Sequence, residues 1–302
     1  MKRKKFNLLV ISAVTSLALI FAGCSNTSNK ENKTPNNKTS IESTTSKNSE
    51  IHFINTGNSD AILIKGVKNV LIDGGDNDDE ESIVQYLKKQ GVKKIDYLIA
   101  THNHADHIGG LDSVVDNLDI GQVLVSNGDS TTKTYRDFIT SLSDKKLKPS
   151  VPLKDAKFDL GNGAYMQIFN TNGGSNTNEE SLVTLYVNGQ DKFLFTGDAE
   201  KGTENEILSL VPDVDVLKVG HHGSRSSTTQ KFLDKVNPEY AIITVGKDNK
   251  YHHPHRDVMD KLKTKKIEVH RTDECGTIIF ESTGNGVKTD CKEGTYKYRD
   301  NK

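Results

Sequence analysis

The chain has 302 residues, with 40 basic and 41 acidic side chains and a formal net charge of −1 at pH 7. The first 50 residues hold eight of the basic and three of the acidic groups, so residues 51–302 carry 32 against 38, a formal −6. A domain that grips nucleic acid chiefly through its phosphates shows the opposite sign, and no channel-forming segment is evident, so transport by itself is not expected.

Residues 1–24 read as a secretory signal. Lys2, Arg3, Lys4 and Lys5 precede an apolar run from Leu8 to Phe21, too short for a comfortable membrane span, and Ala22-Gly23-Cys24 follows. Small-small-Cys resembles a bacterial lipoprotein cleavage site, with Cys24 as the lipidated first residue and the membrane as partner. Phe21 stands where an aliphatic residue is more usual, and an uncleaved signal anchor is the alternative; either places the body outside the cytoplasm. Residues 25–50 are Ser, Thr, Asn and Lys with almost nothing apolar. They read as a disordered tether holding the body roughly 25–30 Å from the bilayer, and their lysines favour an anionic surface.

Residues 51–302 are long enough for one domain. Strand patterns fall at 51–54, 61–64, 70–73, 95–100, 121–125, 164–170, 181–187 and 192–196, with helices at 82–90 and 135–142. From 201 onward helix and strand alternate: helices at 201–210, 229–236 and 257–263, strands at 214–219, 240–245 and 267–270. Hairpins first and strand–helix units later fit an α/β protein of two sheets packed face to face with helices outside. With Cys24 lipidated, Cys275 and Cys291 remain as a pair in an oxidising compartment, and a disulfide is expected, two free thiols being the alternative.

His102-Asn103-His104-Ala105-Asp106-His107 sets four metal-ligand side chains in six residues at the end of an apolar strand. Three imidazoles and a carboxylate gathered there suit zinc, manganese or iron. Asp198 follows another buried run and a turn glycine, where a helix-capping Asp is the alternative. His221 and His222 again close a strand.

His-x-His-x-Asp-His after a buried strand resembles the metallo-β-lactamase superfamily. So do the opening strands ending in Val70-Leu71-Ile72-Asp73-Gly74-Gly75 and the segment Phe195-Thr196-Gly197-Asp198. Val219-Gly220-His221-His222-Gly223-Ser224 and Tyr251-His252-His253-Pro254 are similar to the ComEC/Rec2 branch, the hydrolase-like domain of DNA-uptake channel proteins. The likeness runs over about residues 51–281.

The resemblance implies a four-layer αββα sandwich and two divalent metal ions, zinc first and manganese as rival. His102 and His104 would bind the first ion, Asp106 and His107 the second, with Asp198 bridging. One of His221 and His222 would complete the coordination of the second ion, and the other act on the leaving group or support a ligand. His253 is a candidate for substrate contact or proton transfer, and Asp73 for orienting a ligand, with a plain turn Asp as the alternative. Asp60 matches a branch residue of underived role, His252 stands where Gly is common, His255 reads as surface, and His52 and His270 as structural. Many members place a further His between the first cluster and the bridging Asp; residues 108–197 contain none. The first ion would then draw on water or a polar loop group such as Asn178, which makes manganese more credible.

Such a pair of ions suits hydrolysis of a phosphodiester, DNA among the candidates. A carbonyl hydrolase (ester, thioester or β-lactam) and a non-catalytic, metal-bound accessory of DNA uptake are the other readings, since fold does not fix substrate.

Overall fold

A computed structural model describes residues 48–171, 174 and 176–299. The expected signal, Cys24 and nearly all of the tether lie outside these residues. Along the described chain run β1 (Ser49–Phe53), β2 (Ile62–Lys65), β3 (Val70–Ile72), α1 (Glu80–Lys89) and β4 (Lys94–Ala100). Then come α2 (Ala105–Ile108), α3 (Leu111–Asn117), β5 (Asp119–Val125), α4 (Lys133–Asp144) and β6 (Pro149–Ser150). The second half holds β7 (Ala156–Gly161), β8 (Ala164–Phe169), β9 (Val183–Asn188), β10 (Asp191–Phe195), α5 (Lys201–Ile207) and β11 (Val216–Lys218). It closes with α6 (Gln230–Val236), β12 (Tyr240–Ile243), α7 (Arg256–Lys265), β13 (Glu268–Arg271), α8 (Thr272–Cys275), β14 (Ile278–Ser282) and β15 (Val287–Thr289).

The strands form two sheets, ordered β15-β14-β1-β2-β3-β4-β5-β6 and β13-β12-β11-β10-β9-β8-β7. Three apolar layers hold them. Ile51, Phe53, Ile72, Ile99, Tyr186, Phe193, Phe195 and Phe280 fill the space between the sheets. Ile83, Leu87, Val114, Val115, Phe138 and Leu142 seat α1, α3 and α4 on the first sheet. Ile207, Phe232, Leu233, Val258 and Leu262 seat α5, α6 and α7 on the second. The inner strands β2, β3, β11 and β12 are therefore buried on two faces and read as continuous apolar runs, while β7, β8 and β14 alternate. The result is a four-layer sandwich. Among the described residues no helix is long and apolar enough to cross a membrane.

One boundary and several elements differ from expectation. Ser49 and Glu50, assigned to the tether, belong to β1, where they pair with Ser282 and Glu281 of β14. Polar residues serve there because the buried Ser49 hydroxyl bonds Tyr186 while Glu50 faces Lys65 at 2.9 Å. Helix α3 was missed after Gly109-Gly110, and so were β6, β7, β14 and β15. Gly109 is required by close packing, since a Cβ there would stand 2.2 Å from the Asn77 backbone nitrogen. Cys275 and Cys291 are disulfide-bonded, Cα to Cα 6.1 Å, tying α8 to the chain after β15.

Candidate metal centre

Parallel pairing brings the site together. β3 lies parallel to β4 in the first sheet, and β10, β11 and β12 are mutually parallel in the second. Their C-terminal ends consequently open on a shared edge, and each is followed by a polar residue: Asp73, Thr101–His107, Asp198, His221–His222 and Thr244. Gly197 makes the turn before Asp198 with φ +52, and a Cβ there would come within 3.1 Å of the Thr101 side chain. His221 and His222 also adopt left-handed backbone, φ 48 and 52, an arrangement that costs energy and recurs at functional sites.

Asp106, His107, Asp198 and His222 form one group whose ligand atoms all lie within 4.8 Å of one another. Each imidazole has one nitrogen committed. His107 Nδ1 donates to Asp73 Oδ2 at 2.7 Å, and Asp73 also accepts from the Thr101 backbone N–H at 2.8 Å and its hydroxyl at 2.7 Å. His222 Nδ1 donates to the Thr244 carbonyl at 2.9 Å. These bonds leave both Nε2 atoms turned inward. His107 Nε2 lies 3.3 Å from Asp198 Oδ1; His222 Nε2 lies 3.6 Å from both Asp198 Oδ1 and Asp106 Oδ2. His107 Nε2, His222 Nε2 and Asp198 Oδ1 are buried with no hydrogen-bond partner. Buried polar atoms without partners are rare. Two nitrogen lone pairs and carboxylate oxygens converging there are a donor set that fits a divalent cation.

The charge balance agrees. Burial alone would push His107 and His222 down, but Asp198, with Asp73 beside His107 and Asp60 beside His222, outweighs it and raises both, His107 strongly. Burial would raise Asp198 and Asp106; the facing imidazoles overcome it and hold both carboxyls low, Asp198 well below the usual range.

The other expected residues sit around this group. His102 is fully buried and His104 exposed; Nε2 of the first faces Nδ1 of the second at 3.1 Å, and the His102 ring stands 4.1 Å from that of His107. His102 Nδ1 meets Thr101 and Ser181 hydroxyls at 3.2 and 3.3 Å. Of the His221–His222 pair, His222 enters the group. His221 stands aside, Nε2 3.6 Å from Asp198 and Nδ1 3.3 Å from Glu200, a carboxylate the motif reading missed. Asn178 donates toward Glu200 at 3.3 Å, and its buried Oδ1 has no partner. Part of its loop (172, 173 and 175) lies outside the described residues.

A cavity of about 370 Å³ opens over the group, lined by His104, Asp106, Asn178, His221, Tyr251 and His253 among others. His253 is 4 % exposed, and burial with its histidine neighbours lowers it to about 3. Asn249 fixes its backbone from both sides, accepting from its N–H at 2.8 Å and donating to its carbonyl at 2.9 Å. His255 accepts from the Arg225 backbone, His52 bonds Tyr86 under the first sheet, and His270 faces Glu268; none touches the cavity.

Residues 54–247 match the family model of the metallo-beta-lactamase superfamily. The chain belongs to that superfamily. It is 32 % identical over 210 residues to ComE operon protein 3 of Bacillus subtilis (strain 168), covering 67 % of this chain and 26 % of that protein. It is 29 % identical to Recombination protein 2 of Haemophilus influenzae, covering 72 % and 26 %, and 31 % identical to Competence protein ComA of Neisseria gonorrhoeae, covering 69 % and 28 %. These relatives agree with the ComEC/Rec2-like branch. The chain spans about a quarter of their length. Among solved structures, Tm1679, a metal-dependent hydrolase of the beta-lactamase superfamily, superposes with TM-score 0.50 at 13 % identity, over 74 % of this chain and 95 % of that one, which shows the shared fold. By family, then, this is a superfamily hydrolase with a candidate metal site and competence-protein relatives.

Proposed function

We propose that the protein is a metal-dependent phosphodiesterase, with DNA among its substrates, held outside the cytoplasm by a lipid on Cys24. The observation that carries the catalytic reading is the convergence of three buried, unpartnered donor atoms on one point. Asp106, His107, Asp198 and His222 would hold one divalent ion, and His102 and His104, with Asp198 as the bridge, a second. When bound, such ions polarise a phosphoryl oxygen and bring the pKa of a coordinated water toward neutrality. Zinc is the first expectation; manganese is the rival because no His between 108 and 197 completes the coordination of the first ion.

The chain's own groups would do the rest. Asp73 and the Thr244 carbonyl keep His107 and His222 in the tautomer that turns Nε2 inward. His221 stands partly open to the cavity, its side chain 24 % exposed with Nδ1 3.3 Å from Glu200, and burial lowers its pKa; it would be the group that gives a proton to the departing oxygen. His253, kept neutral by burial, would meet the substrate as a hydrogen-bonding group rather than as a charge.

The phosphodiester reading rests on the branch relatives, and the formal −6 of residues 51–302 argues for testing a small diester beside DNA. The disulfide supports an oxidising compartment. The test compares DNA with a bis-aryl phosphodiester in zinc, in manganese and after chelation. Turnover of either substrate that disappears on chelation and returns with metal is expected; turnover that survives chelation overturns the reading.

A further inference from the structure

Beneath the metal group lies a buried ion pair that the sequence motifs did not account for. Lys218, the last residue of β11, and Asp60, in the loop after β1, are both 0 % exposed, and Lys218 Nζ stands 2.5 Å from Asp60 Oδ2. The pair spans the two sheets. A lysine inside a continuous apolar strand is costly unless its charge is met, and these two residues meet it behind the candidate ligands.

The side-chain contacts of the pair lead to the site. Asp60 Oδ1 is 3.5 Å from His222 Nδ1, and Oδ2 is 3.9 Å from His107 Nδ1. The Thr244 hydroxyl donates to Asp60 Oδ1 at 2.5 Å, while the carbonyl of the same residue accepts from His222. The Asp60 backbone N–H donates to the Asp106 carbonyl at 3.0 Å, and Lys218 Nζ donates to the carbonyl of Gly197, next to Asp198, at 3.3 Å. Asp60, Asp73 and His107 also form a second close group of donor atoms, and the Lys218 ammonium already supplies positive charge to it.

We infer that the Asp60–Lys218 pair is a positioning device for the metal group, in which the ammonium draws Asp60 away from the two histidines. With its charge engaged by Lys218 and Thr244, Asp60 does not compete for the Nδ1 protons, and Asp73 and the Thr244 carbonyl set the direction of both rings. Without the ammonium, the Asp60 carboxylate, 3.5 Å from His222 Nδ1, is free to accept that N–H hydrogen bond in place of the Thr244 carbonyl, which turns the ring and its Nε2 off target. This deepens the proposed function and rests on it, since it presumes that the group binds metal.

The experiment measures metal affinity of the full-length chain by competition with a chromophoric chelator, using zinc and manganese, alongside the thermal midpoint in chelator. The variants are Lys218→Met, Asp60→Asn, the double substitution, and Thr244→Val, which removes only the hydroxyl on Asp60 and keeps the test open should Lys218→Met not fold. Loss of a group that orients a metal ligand typically weakens affinity about 10–100-fold. That loss is expected in Lys218→Met, a smaller one in Thr244→Val, and the neutral double variant should bind closer to wild type than Lys218→Met does. A pair that merely stabilises the fold would lower the midpoint in chelator and leave affinity unchanged, and that result overturns the proposal. Strictly additive losses overturn it too. Wild-type protein that binds neither metal overturns the metal reading itself, and the proposal with it.

Discussion

His107 and His222 each spend one ring nitrogen on a fixed acceptor and keep the other free, and this division makes four side chains a binding group rather than a polar cluster. Asp73 is the acceptor for His107, so Asp73→Ala should weaken metal binding about 10–100-fold while leaving all the candidate ligands in place; chelator competition measures it. The pH dependence follows from the same pair. Burial opposes but does not overcome the carboxylates, and both histidines are raised above 6.5. A raised folded value means that this stabilisation is complete below about 6.5 and is lost as pH rises through the higher folded values. Metal binding displaces the same protons and so strengthens over that window. The gap in thermal midpoint between metal-loaded and chelated protein should therefore widen as pH rises above about 6.5; a gap that narrows contradicts the assignment. At this scale most of the candidate group was legible in the sequence, because His-x-His-x-Asp-His and the His221–His222 pair stand out by residue type. It did not show Glu200 or Lys218, single charged residues whose partners come from other loops. Nor could it separate His221 from His222, since their roles are decided by two successive left-handed residues that composition does not reveal.

The elements matter through where they end. Five strands deliver their C-terminal ends to one edge, and the apolar runs that betray them in the sequence are buried on both faces. Elements lacking that signature were missed: β7 has only Phe158 and Leu160 as large apolar residues, and the seven residues of α3 follow two glycines that read as a turn. The second-sheet helices also depend on their caps. Thr229 accepts from the Phe232 backbone N–H at 3.3 Å to begin α6, and Glu204 accepts from the Thr229 backbone N–H at 2.9 Å. Thr229→Ala should cost about 1 kcal/mol in chemical denaturation and leave metal affinity unchanged.

For the molecule as a whole, the four layers and their order were legible because apolar runs and helical periodicity survive averaging over a domain. The start of the domain was placed two residues late, because Ser49 and Glu50 look like tether and are recruited only by pairing with β14, more than 200 residues away in sequence. The bond between Cys275 and Cys291 closes a loop of separation 16. Replacing both cysteines by serine should cost about 3 kcal/mol of unfolding free energy, read from denaturant titration, with the candidate metal centre retained.

The most direct test of the central claim is metal content per chain, measured with diester hydrolysis on the same samples, for wild type and Asp198→Ala. Among the described residues, Asp198 is the one carboxylate facing His107, His221 and His222 together. The expected result is two divalent ions in the wild type, loss of at least one in Asp198→Ala, and a parallel loss of chelator-sensitive hydrolysis. Wild-type turnover in the absence of bound metal, or an Asp198→Ala variant that keeps both ions and full activity, would contradict it.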